Sequence, residues 1–332
     1  MLLSFLLGIL CALFVLLFMI HVGMLSQIIS SLQIKKLPDV KQLYQLPDGV
    51  EVKIPRGKNE YISSWHKGSG PTVILIHDAG LSSKSLVPLW HAVYGMGHQV
   101  ITYDLRGHGK SSGCAEGIDF DLLTEDLKSL IDYYNLENFL VIGHSLGSYL
   151  TLRLLNAYPS YSGKVNGLLS VAGFAEELGV DAKRHTLFKK LLQAGWLKQL
   201  LVYKPYRWAF ASSYFGGIPA PPFIAAFLHN FHLGSLKNLI SLSEKESFLE
   251  QYKWFSGKKI PVWLIHGDSD HINPNVGRSI LLPLLSSLTV TRPVEDTGHM
   301  LIWESPQEIV DALKLFTHQI HTKNEKALMK DS

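Results

Sequence analysis

Gly143-His144-Ser145-Leu146-Gly147 follows the apolar run Phe139-Leu140-Val141-Ile142 and precedes a helix-capable segment, residues 148–158. That order predicts strand, tight turn and helix, the context in which a Gly-x-Ser-x-Gly pentapeptide carries chemistry. The glycines remove Cβ atoms where such a turn is most crowded, which leaves the Ser145 hydroxyl above the sheet edge. The Leu146 amide falls at the helix start, where N–H groups lack intrahelical partners, and can hold a developing oxyanion. In isolation the stretch also reads as a glycine-rich turn with an incidental serine. The choice turns on whether the chain supplies a base and an orienting acid.

Outward from the pentapeptide, strands alternate with helices. Residues 50–54 alternate as an edge strand should, and 60–66 form its antiparallel partner. Apolar strands are expected at 72–76, 99–103, 165–171, 261–265 and 288–293, with helices at 83–94, 119–133 and 306–322. This pattern predicts an α/β fold with a mostly parallel central sheet and helices on both faces. Ligand chemistry then belongs at the carboxyl ends of the strands. In the loop at 104–111, Asp104 and Arg106 are expected to act as ties rather than as catalysts.

Residues 174–256 break the rhythm. Helix-like pieces at 186–200, 222–230 and 235–243, around the breaker region 214–222, predict an inserted helical cap. Its many aromatic residues mostly form the cap's own core, yet a cap also offers an apolar wall to a substrate. Lysines such as Lys189, Lys190, Lys198 and Lys204 suit either an anionic bilayer or a solvated helix face.

The 332 residues are 47% hydrophobic, enough for one large core or two smaller ones. A net charge of +3 argues against a nucleic-acid partner. Fifteen histidines show no compact metal-binding spacing, and the two cysteines, Cys11 and Cys114, make no disulfide framework. Residues 2–20 carry no charged side chain. They read as a retained N-terminal transmembrane helix, with a cleaved signal peptide or a buried helix as alternatives. Lys35, Lys36 and Lys41 follow the span and no Lys or Arg precedes it, so a single-pass membrane protein with a cytoplasmic C-terminal domain is expected. The expected organisation is a transmembrane helix at 1–23, a linker at 24–45, a core at 46–173, a cap at 174–256, a second core part at 257–322 and a tail at 323–332. Nothing in the sequence sets the oligomeric state.

The base and the acid come late in the chain. His299 lies on a loop after the last strand and is suited to take the Ser145 proton. Asp270 lies on the loop after the preceding strand, where it can orient His299; Asp268 and Asp296 are the rival acids. Ser, Asp, His is the chain order that accompanies a nucleophile elbow. The second oxyanion donor is expected from the loop after residues 72–76, as the amide of Ala79. His77, His144 and His266 read as bracing or packing residues.

Together the pentapeptide, Asp104-Leu105-Arg106-Gly107-His108-Gly109-Lys110-Ser111, Gly267-Asp268-Ser269-Asp270, and Gly298-His299 with Glu304 and Pro306 resemble the alpha/beta-hydrolase superfamily. Closest in character are its capped lipases, monoacylglycerol-lipase-like and lysophospholipase-like proteins and small esterases. The resemblance spans about residues 46–322. It implies ester or related acyl hydrolysis without metal or organic cofactor, and it selects Ser145, Asp270 and His299. A small-molecule or lipid ester with a hydrophobic part is the expected substrate. Hydrolysis of small non-lipid esters, thioesters or amides is one alternative, and a non-catalytic membrane-anchored binding protein is another. One position departs from the family: its usual His-Gly start of the oxyanion loop is His77-Asp78 here. A carboxylate pointing into the pocket opposes an oxyanion; one pointing away anchors the loop.

Overall fold

A computed structural model describes residues 39–113, 118–173, 190, 194–217, 219–235, 255, 260–272 and 289–328, with side chains up to 320. Eight strands form one sheet: β1 (Val50–Gly57), β2 (Glu60–Lys67), β3 (Thr72–Ile76), β4 (Gln99–Tyr103), β5 (Phe139–His144), β6 (Val165–Val171), β7 (Val262–Gly267) and β8 (Thr289–Val294). Their spatial order is β1-β2-β4-β3-β5-β6-β7-β8. The β1–β2 and β2–β4 pairs are antiparallel, and every other neighbouring pair is parallel. The apolar runs that read as central strands are central, because only there are both faces covered. The edge strand β1 keeps alternating exposure, and the edge strand β8 is exposed over most of its length.

Helices cover the sheet on both sides. On one face lie α2 (Phe120–Tyr133) and α3 (Leu146–Ala157), burying Leu123, Leu127, Leu150 and Leu154. The Asp119 carboxylate caps α2 by accepting from the Leu122 amide at 2.6 Å. On the other face lie α1 (Val87–Gly95) and α8 (Pro306–Leu328), burying Leu89, Trp90, Ile309, Leu313 and Phe316. Proline at the first position of α8 costs no hydrogen bond there. This helix continues to Leu328, past its expected end at residue 322.

Between β6 and β7 the structure describes α4 (Trp196–Leu200), α5 (Lys204–Ser212) and α6 (Pro221–Asn230). Phe215 and Phe227 pack on Trp303 of α7 (Leu301–Glu304), with ring centroids 6.2 and 6.4 Å apart. These aromatics pack largely on one another, as expected, and through Trp303 their cluster is continuous with the core beside the sheet. Trp196 and Tyr203 are exposed. The helix-like pieces at 186–193 and most of 235–243 fall outside the described residues, apart from Lys190 and Ser235.

The expectation of a single-pass membrane protein, oriented with its domain in the cytoplasm, is corrected. Among the described residues no helix is long and apolar enough to cross a membrane. The N-terminal transmembrane helix expected at 1–23 lies outside the described residues. The long C-terminal helix cannot replace it, because polar and charged residues are spread through its length.

Candidate active site

Ser145 sits where β5 turns into α3, in a strained conformation with φ 49° and ψ −107°. Such geometry persists only where the surroundings impose it. A Cβ at Gly143 would meet the Ser148 nitrogen at 2.4 Å, and one at Gly147 would meet the Ile76 carbonyl at 2.5 Å. Both glycines are thus required by close approach. The Ser145 amide donates to the Val171 carbonyl at 2.8 Å, which ties the turn to β6.

His299 follows β8 and is 1% exposed. Its Nδ1 lies 3.0 Å from the Asp270 carboxylate, which follows β7 and also accepts from the Ile272 amide at 2.9 Å. Of the three acids weighed in the sequence, Asp270 is the one in contact with His299; Asp268 and Asp296 are exposed. Behind His299, its carbonyl accepts from His144 Nε2 at 2.9 Å. Glu304 accepts from the amides of Gly298 and Gly216, at 2.8 and 2.9 Å, and so joins the His299 loop to the segment that leads into α6. The Tyr214 ring stands 5.8 Å from that of His299.

The sequence left the direction of Asp78 open, and the structure decides it. Asp78 is buried and points inward. One carboxylate oxygen accepts from the Leu146 amide at 3.1 Å, and the other lies 3.1 Å from His299 Nε2. The expected oxyanion donor Leu146 is therefore already engaged, and so is the ring nitrogen that faces away from Asp270. Among the described residues no hydrogen bond joins Ser145 Oγ to His299. Ala79, the other expected donor, is partly buried in an apolar cluster with Leu197 and Phe231.

The electrostatics follow from this packing. Burial alone pushes the His299 imidazole down, but Asp270 and Asp78, by charge and hydrogen bond, bring it up to about 10. Burial alone pushes Asp78 up, but the hydrogen bond and charge of His299 hold it well below the usual carboxylate range. Near neutral pH the site thus contains an imidazolium between two carboxylates. Its other histidines stay neutral: burial lowers His77 to about 4, His144 to about 4 and His108 to about 3. His77 braces the loop as expected, donating from Nδ1 to the Asp78 carbonyl at 2.8 Å and accepting from the Leu105 amide at 2.9 Å.

Asp104 and Arg106 also tie rather than react. Asp104 accepts from the amides of Ser83 and Lys110, both at 2.7 Å, and Arg106 makes a bidentate pair with Asp126 at 3.0 and 2.7 Å. Asp78, His144 and His299 each offer a ligand atom within 4.8 Å of one another, the one such group among the described residues. Two imidazoles and a carboxylate could hold a divalent transition metal, although the Asp78–His299 contact is already accounted for by a shared proton. A cavity of about 460 Å³, lined by Lys204, Arg207, Trp208, Ile224 and Leu228 among others, opens between α5 and α6; none of the site residues lines it.

The fold places the chain among hydrolases. The family model described as the alpha/beta hydrolase family matches residues 73–312, and the chain belongs to that family. The chain is 23% identical to AB hydrolase superfamily protein YisY of Bacillus subtilis, over 76% of its own length and 93% of that protein's. A bromoperoxidase from Bacillus anthracis superposes with a TM-score of 0.68 at 24% identity, covering 82% of this chain and all of that one. An esterase from Exiguobacterium antarcticum superposes at 0.69 and 18% identity, covering 80% and 99%. At these identities the structural likeness shows the fold alone. A non-heme chloroperoxidase from Kitasatospora aureofaciens is 32% identical over 30% of this chain, which spans about a third of that protein's length.

Proposed function

We propose that the protein is a serine hydrolase of carboxylic esters with a hydrophobic acyl or alkyl part. The observation that carries this reading is the buried Asp270–His299 pair at 3.0 Å, on loops at the carboxyl ends of adjacent parallel strands, with strained Ser145 on a third. Ser145 is the nucleophile, His299 its base and later the acid for the leaving alcohol, and Asp270 orients the imidazole. The amides of Leu146 and Ala79 are the oxyanion donors. Residues 174–256 act as a cap, whose Phe231 and Leu197 put an apolar wall beside Ala79.

A second reading is a binding protein that keeps the fold without turnover. The contact favouring it is Asp78, whose carboxylate holds both the Leu146 amide and His299. Assay of p-nitrophenyl esters of graded chain length separates the two. The hydrolase reading expects turnover that favours medium or long acyl chains and falls by about 10³-fold or more in Ser145→Ala. Equal turnover by parent and variant removes Ser145 from the mechanism.

A further inference from the structure

We propose that Asp78 is a competitor for the oxyanion site built into the chain itself: its carboxylate closes the site at rest, and Ser145 turns over a carbonyl substrate only after Asp78 has swung out. This rests on the serine-hydrolase reading.

The geometry supplies the argument. A carbonyl oxygen becoming an oxyanion needs the Leu146 N–H, and Ser145 needs a lone pair on His299 Nε2. Asp78 occupies both, at 3.1 Å each, with its two oxygens. It is 4% exposed, so no water layer weakens the contact. A carboxylate left in place would also oppose the negative charge that develops on the substrate. Steric, hydrogen-bonding and electrostatic effects therefore act in one direction.

Departure of Asp78 has a protonic consequence. While both carboxylates flank His299, the imidazole holds two protons and has no lone pair to offer. With Asp78 gone, one of its two stabilising charges is lost, the Nε2–H bond breaks, its proton passes to water, and Nε2 becomes a base. Nδ1 keeps its proton and donates it to the Asp270 carboxylate. The groups facing this pair from the surrounding elements do not obscure the titration. His77 and His144 are held neutral by burial, burial keeps the Tyr214 phenol above its ordinary range, and Glu304 is committed to two backbone amides. The two flanking carboxylates thus keep His299 charged near neutral pH.

The test is labelling of Ser145 by a fluorophosphonate, followed by peptide mass, on the parent chain, Asp78→Gly and Asp78→Asn. Glycine removes the competitor; asparagine keeps its shape without its charge and serves as the second variant should the loop need a side chain. The expected result at pH 7.5 is labelling and p-nitrophenyl ester hydrolysis about 100-fold faster in Asp78→Gly, with Asp78→Asn between the two. In the parent the rate climbs with pH towards about 10, whereas in the variants it levels off near the ordinary imidazole range, about 6.5–7. Parent and variants labelled equally fast, with one pH profile, would overturn the role of Asp78 and leave the serine-hydrolase reading standing. No labelling at Ser145 in any of the three would overturn both.

Discussion

Two carboxylates reach the same imidazole from opposite sides, at nearly the same distance. Asp270, on the loop after β7, lies 3.0 Å from Nδ1; Asp78, on the loop after β3, lies 3.1 Å from Nε2. Both are buried and both favour the charged ring. Their expected consequences are opposite. A carboxylate at Nδ1 fixes the tautomer that leaves a lone pair at Nε2, while a carboxylate at Nε2 takes that position for itself. Distance and charge alone do not assign a role; what matters is which nitrogen must exchange a proton with the substrate.

The largest expected effect breaks this pair of opposites directly. With Asp78→Gly in place, Asp270→Asn is expected to lower kcat by about 10³- to 10⁴-fold, as loss of the orienting acid does in other triads. The two substitutions thus move the rate in opposite directions, and a rise with Asp270→Asn would reverse the assignment. A smaller effect sharpens the contrast with a buried ion pair of another kind. Arg106 and Asp126 meet away from Ser145, so Arg106→Met is expected to lower stability by about 3 kcal/mol, read in urea denaturation, because Asp126 keeps only Arg56. Ester turnover per folded molecule should not change. The smallest effect concerns the frame that holds both arms in place. Glu304→Gln keeps one acceptor for the Gly298 and Gly216 amides and is expected to cost about 1–2 kcal/mol by the same measurement. Its ester turnover should fall modestly as the His299 loop loosens.

The pattern of strands was legible because buried parallel strands are short apolar runs bounded by breakers. β3, β4 and β6 have the expected bounds, and the edge strands differ by a few residues at their ends. The aromatic segment before β7 reads in the sequence as a core of its own. Its rings do meet one another, and they also meet Trp303, far along the chain, a pairing that no local periodicity encodes. The brace from Glu304 to Gly216 and Gly298 is equally out of reach of the sequence, although Glu304 is among the residues that carry the family resemblance. The membrane expectation rested on a run of residues that lies outside the described part of the fold.

By itself the sequence determined the order of strands and helices, the turn at Ser145 and the loops that carry Asp270 and His299. These depend on local periodicity and on glycines at fixed offsets, and the chain carries both. Only the tertiary structure decided where the Asp78 side chain goes. The direction of a buried carboxylate is set by the donors that meet it, here the Leu146 amide and the His299 ring, which come from loops 68 and 221 residues away.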